Sequence, residues 1–217
     1  MKNKSRLDSH AFNNLNETME ASEIMLTHEQ GQVRGMIRGL YMSLGIQPQE
    51  VCLRFPAENI EGIYQGKYFA HTEKTPDRVY VTTLHPTLST SFYIEDNTIF
   101  IFNLAVAKEL RGNDIGSKAL SMFKLAGIVN DLDIKLRAVP VELYDKMGVD
   151  TKTINGHRKF KQYKQALARH TFRLIKFYEK NDFTLTGEGL GAEMEFIITD
   201  ALRAEGEAFK KELLAND

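Results

Sequence analysis

The chain has 217 residues, 42% of them hydrophobic and 26% charged, with a formal net charge of -1, a composition that excludes a disordered or fibrous protein. A balance so close to neutral gives no global attraction to nucleic acid or to a membrane surface. Cys52 is the single cysteine, so neither an intrachain disulfide nor a cysteine-based zinc cluster can form, and a reducing, cytoplasmic setting is expected.

One domain spanning 1–217 is the expectation for this length. Residues 1–30 read as an extension, poorly ordered or wrapped on the surface. Lys2, Lys4 and Arg6 are followed by a polar, Asn-rich run, which lacks the apolar centre of an export signal. From Val33, the residues Met36, Ile37, Leu40, Tyr41 and Leu44 recur at steps of three and four, which predicts an amphipathic helix ending near Gly45. Gly31, Gly35 and Gly39 repeat every fourth residue inside it. Each costs a helix about 1 kcal/mol against alanine, so close packing on the protein's own sheet or on a partner helix is expected there.

Between Gln49 and Pro86, the apolar stretches Val51–Phe55 and Arg78–Leu84 are separated by Pro and Gly, as strands and turns require. Thr90–Glu95 and Thr98–Ala107 flank Asp96-Asn97, a pair suited to positive φ, and so predict an antiparallel hairpin. Its second arm is the longest apolar run, about half of a membrane helix, and Asn103 interrupts it, where a bulge, a ligand contact or a turn-stabilising role would each account for a polar residue. Ile115, Ala119, Leu120, Phe123 and Ala126 then mark a helix, and Ile134–Val139 a further strand. Strand, polar loop, helix and strand make a βαβ unit with a parallel pair, so the sheet is mixed. A long helix follows, carrying Tyr163, Ala166, Leu167, His170, Leu174, Phe177 and Tyr178 on one face. Phe183–Thr186 and Met194–Thr199 are short strands, and residues 200–217 read as a C-terminal helix through Leu202, Phe209 and Leu213.

The loop between the buried strand and the helix carries the most chemistry. Asn103 to Ser117 contains Arg111, Gly112, Asn113, Asp114, Ile115, Gly116 and Ser117. A helix start offers unpaired backbone N–H groups and the positive end of the dipole, which together can hold a pyrophosphate without dedicated basic side chains.

In this setting Leu104 to Gly127 resembles the acetyl-CoA-binding motif of the GNAT N-acetyltransferase superfamily, Arg/Gln-x-x-Gly-x-Gly/Ala between the fourth strand and the next helix. Further on, Leu174 to Phe183, with Phe177-Tyr178-Glu179-Lys180, is similar to the second signature of that family. The likeness spans roughly residues 90–198, with Asp114 and Asp182 standing where the family has glycines. It implies an α/β (α+β) fold: a GNAT-like mixed, twisted central sheet flanked by helices, splayed between its fourth and fifth strands. An extra N-terminal helical segment and a basic insertion before the long helix would be additions to that core. The implied activity is transfer of an acetyl group from acetyl-CoA, as co-substrate, to a primary amine of a small molecule or protein. The implied cofactor site is Leu104, Ala105, Val106, Arg111, Gly112, Asn113, Asp114, Ile115, Gly116 and Ser117, and the implied catalytic acid for the departing thiolate is Tyr178.

Two other readings stand beside it: a catalytically weak GNAT-like protein that acts by binding a partner, and an acetyltransferase for an amine on nucleic acid such as aminoacyl-tRNA. The latter draws on residues 151–180, where nine bases face one acid, whereas residues 181–217 hold nine acids and three bases. Lys152 to Lys176 thus offers a surface for an acidic or nucleic-acid partner. A solvated helix face is the plainer reading. A homodimer is left open, and neither a membrane nor a metal is expected. For the general base His71, Glu73, His85 and Glu95 are candidates, while His170, on the apolar face, reads as a core histidine.

Overall fold

The structure, a computed structural model, describes residues 26–55, 78–138, 154–187 and 192–215. Seven strands form one sheet: β1 (Gln49–Phe55), β2 (Arg78–Leu84), β3 (Leu88–Glu95), β4 (Thr98–Val106), β5 (Asp133–Ala138), β6 (Thr184–Leu185) and β7 (Ala192–Phe196), in the order β1-β2-β3-β4-β5-β7-β6. The helices are α1 (His28–Ser43), α2 (Ile115–Asn130), α3 (Ile154–Lys180) and α4 (Asp200–Ala215). All pairings are antiparallel except β4 with β5. This is the mixed, helix-flanked α/β architecture expected from the sequence.

Local chemistry explains most boundaries. Helix α1 starts five residues before the first periodic apolar position because Thr27 and Gln30 form a capping box. Thr27 Oγ1 accepts from the Gln30 N–H at 3.2 Å, and Gln30 Oε1 accepts from the Thr27 N–H at 3.0 Å. Residues 28–30 therefore belong to the helix and not to the extension. The β3–β4 hairpin closes on Asp96 (φ 47) and Asn97 (φ 55), as a two-residue turn with positive φ at both positions demands. Strand periodicity is visible in β5, where Ile134, Leu136 and Ala138 are buried, while Lys135 and Arg137 pair outward with their register neighbours Glu195 and Glu193, both at 2.9 Å.

The core gathers Val33, Ile37 and Tyr41 of α1, Leu120 and Phe123 of α2, Tyr178 of α3, and Phe92, Ile99, Ile134 and Met194 of the sheet. Tyr41 is fully buried and its hydroxyl donates to the Leu88 carbonyl at 2.9 Å, which satisfies a polar group that burial would otherwise penalise. A ladder of rings, Tyr80, Tyr93, Phe100 and Phe102, runs across β2, β3 and β4, with Tyr93 stacked on Phe100 at 4.8 Å.

Two expectations are corrected. Gly31, Gly35 and Gly39 are exposed, and a Cβ at any of them would meet nothing within 4 Å among the described residues, so they do not pack on the sheet. The close approach occurs instead at Gly206 of α4, where a Cβ would collide with the backbone carbonyl of Ile128 in α2. The basic residues also sit differently from an insertion preceding the long helix. Helix α3 begins at Ile154, so Arg158 to Lys180 lie within it, and Lys152 falls outside the described residues.

Candidate functional site

The site is built where β4 hands the chain to α2. After Val106, the Ala107 N–H donates to the Thr87 carbonyl at 2.9 Å, and a single 3-10 turn, Lys108–Leu110, reverses the direction. The Arg111 side chain closes this turn, its Nε donating to the Val106 carbonyl at 3.1 Å. Gly112 (φ 91) and Asp114 (φ 56) are both left-handed, a region that glycine enters freely and aspartate more readily than most residues. Asp114 is the N-cap of α2, exposed, and its carboxylate caps none of the helical N–H groups. The first helical bond runs from the Lys118 N–H to the Asp114 carbonyl at 2.9 Å. Among the described residues no backbone acceptor takes the N–H of Ile115, Gly116 or Ser117, so three donors and the helix dipole converge at this end.

Beside this turn the sheet opens. Pairing of β4 with β5 runs from Thr98↔Asp133 to Ile101↔Leu136 and ends there, although β4 continues to Val106 and β5 to Ala138. The cause lies in β4. Ser91 faces Asn103 and Phe92 faces Ile101, so the register skips Phe102, the extra residue of a bulge. A bulge of this kind bends the strand, sharpens its twist and ends pairing on the far side. Asn103, next to the bulge, donates from Nδ2 to Ser89 Oγ at 3.2 Å. Beyond the bulge Leu104 and Val106 are half-buried against the core and Ala105 is exposed.

Helix α3 reaches the same corner. The Phe177 ring lies over Gly116: a Cβ there would be 3.1 Å from Phe177 Cζ and 3.7 Å from Val106 Cγ2. At Gly116, α3 thus packs closely on the start of α2. A larger side chain at this position would press on Phe177 and Val106. Tyr178 follows, 7% exposed, its ring edge-on to Phe177 at 5.2 Å and to Phe183 at 6.1 Å. Burial pushes its hydroxyl up to about 12, so the phenol holds its proton throughout the neutral range. The helix ends on Asp182 (φ 68), the left-handed geometry that glycine most often supplies after a helix. Lys124 of α2 ties this turn down, donating to Asp182 Oδ2 at 2.7 Å and to the Asn181 carbonyl at 3.2 Å.

The base candidates are not brought together. His71 and Glu73 lie outside the described residues. Glu95 ends β3 opposite Thr98, at the end of β4 remote from the opening. His85 accepts the Thr87 N–H at Nδ1 (3.1 Å); the neutral ring then carries its proton on Nε2, which makes it a donor there. His170 is exposed and not a core histidine, because the buried line of α3 runs through Leu167, Thr171 and Tyr178. Thr171 was not picked out by sequence reading. Its Oγ1 is buried without a hydrogen-bond partner among the described residues, and a threonine at helical spacing gives no signal of this. Among the described residues no cluster of His, Cys, Asp and Glu could hold a metal, and no helix is long and apolar enough to cross a membrane.

No protein-family model matches the chain, and no curated protein does. Among solved structures, it is similar to Ard1 from Thermoplasma volcanium, at 13% sequence identity and a TM-score of 0.31, over 67% of this chain and 94% of that one.

Proposed function

We propose that the chain is a coenzyme-A-dependent N-acyltransferase of the GNAT type, acting on a primary amine. The observation that carries this reading is the opening between β4 and β5, which meets the unpaired N–H groups of Ile115, Gly116 and Ser117 at the start of α2. An exposed strand backbone followed by a cluster of amide donors suits an extended amide-bearing arm that ends in a pyrophosphate. Residues Leu104 to Val106 would pair with the arm, and Gly112 to Ser117 would hold the phosphates. Acetyl-CoA supplies an activated thioester. The protein's part is to position the amine, exclude water and protonate the departing thiolate, and Tyr178, kept neutral by burial, is the group assigned to that last task.

Calorimetric titration with acetyl-CoA tests the reading. Binding should raise stability by about 2.7 kcal/mol at a ligand concentration 100 times the dissociation constant. Absence of both heat and thermal shift at millimolar acetyl-CoA would sink it. One observation favours a second reading, a GNAT-like protein that binds a partner and turns over weakly. The carboxylate of Asp114 stands at the helix start, where it opposes a bound anion. Acetyl-CoA binding without thiol release across a panel of amines would support that alternative. The third, an amine borne on nucleic acid, draws on the cationic side of α3.

A further inference from the structure

Helix α3 turns one line of side chains to the core and the opposite line to solvent. Leu167, Thr171 and Tyr178 are buried. Arg169, Arg173, Lys176 and Lys180, spaced by four, three and four residues, fall on the other side of the helix and are all exposed. Lys161, also exposed and about three turns ahead of Phe172 on the same side, carries the charge toward the start of the helix, whereas Lys164, seven residues from Thr171, is exposed but lies on the side of the buried line. From Lys161 to Lys180 the only acid is Glu179, which pairs with Lys176 at 2.6 Å. Among the described residues Lys161, Lys164, Arg169, Arg173 and Lys180 pair with no carboxylate. Four unneutralised cations, Lys161, Arg169, Arg173 and Lys180, are therefore arrayed along this side over about 28 Å of helix.

In their midst stands Phe172. It is 59% exposed, and Lys176 Nζ lies 5.7 Å from its ring centre. An aromatic ring held in water between arginines fills no need of the core, which is packed from the opposite side of the helix. Its face can stack on a planar base while the cations take phosphates. We propose that this face of α3 binds a single-stranded nucleic acid, with phosphates on Lys161, Arg169, Arg173 and Lys180 and a base stacked on Phe172. A membrane surface fits less well, because the apolar side of the helix is already committed to the sheet and the exposed side offers one ring. An acidic peptide would use the charges and leave the ring idle. This inference does not rest on the acyl-transfer reading.

Fluorescence anisotropy with the full chain and a labelled single-stranded RNA of about 20 nucleotides and mixed sequence tests it. With four contacts, log K should fall with log salt at a slope of about -2.8. Arg169→Gln with Arg173→Gln should reduce that slope by about 1.4. Phe172→Ala should weaken binding about fivefold or more at an unchanged slope. All three positions are exposed, so thermal melts of the variants should match the wild type and exclude misfolding. The proposal is overturned by no binding at about 50 mM salt, by Phe172→Ala binding like the wild type, or by equal affinity for a duplex of the same sequence. Competition by polyglutamate as effective as by unlabelled RNA overturns it too, and would assign the face to an acidic protein.

Discussion

At the scale of single residues, Asp114 is where conformation and charge pull apart. Its left-handed backbone closes the turn, as asparagine or glycine could, but its carboxylate sits at the positive end of α2. That charge favours the helix and opposes a pyrophosphate. Asp114→Asn keeps the conformational tolerance and removes the charge, so acetyl-CoA should bind about fivefold more tightly, the factor for about 1 kcal/mol of repulsion near the surface. Weaker binding of this variant, measured by calorimetry, would show that the carboxylate has a positive role. Tyr178 gives a pH signature. Its folded pKa, raised by burial to about 12, exceeds the unfolded value near 10; the stability it contributes is complete below pH 10 and is lost as pH rises toward 12. Tyr41 is raised to about 12 for the same reason, so the wild type should lose melting temperature over that window and Tyr178→Phe should lose less. If Tyr178 is the proton donor, the same variant should lower turnover by about 10² to 10⁴. The positive φ at Asp96 and Asn97 was legible in the sequence because a short polar pair bracketed by apolar runs has few other reasons to be there, whereas Asp182 was marked only by the resemblance. The exposure of His170 was not, since one residue of helical phase separates a core position from a solvent one.

At the scale of elements, the glycines of α1 and α4 exchange the roles that their spacing suggests. Gly35 has open space in front of it, whereas Gly206 lies against the Ile128 carbonyl. Gly35→Ala should therefore stabilise by the helix-propensity difference of about 1 kcal/mol, a rise of about 2–4 °C in melting temperature for a chain of this size. Gly206→Ala should do the reverse, since a backbone carbonyl cannot yield as a side chain can, and overpacking costs about 1–3 kcal/mol. A higher melting temperature for Gly206→Ala would mean that α4 is not seated on α2. Most strands were readable within a residue or two, Arg78–Leu84 in full, because alternating apolar residues between prolines and glycines admit few other structures. The early start of α1 was readable in principle, from Thr27 and Gln30 three residues apart. What could not be read is contact between elements: that Phe177 covers Gly116 and Lys124 ties down Asp182 depends on crossing geometry, which no local pattern encodes.

At the scale of the whole molecule, the uneven charge along the chain resolves into separate faces. The bases of residues 161–180 lie along the outside of one helix, while several acids of the last third are neutralised across the sheet or within α4. The opening in the sheet was implied by resemblance and not by periodicity, because a bulge at Phe102 leaves the apolar character of β4 unchanged. That opening has a kinetic meaning as well. Strands β1 to β4 form one antiparallel block and β5, β7 and β6 another, and within the sheet they are joined only over the four register pairs from Thr98↔Asp133 to Ile101↔Leu136. So short a seam can part without global unfolding, as a subglobal opening of lower free energy. Native-state hydrogen exchange should find the amides of Ile134 to Leu136 that face β4 exchanging together and ahead of those between β2 and β3. Exchange at both places with the same dependence on denaturant would show that the blocks open as one. A ligand seated across the seam would act as extra rungs on this ladder, and its first trace would be a slower clock at those amides.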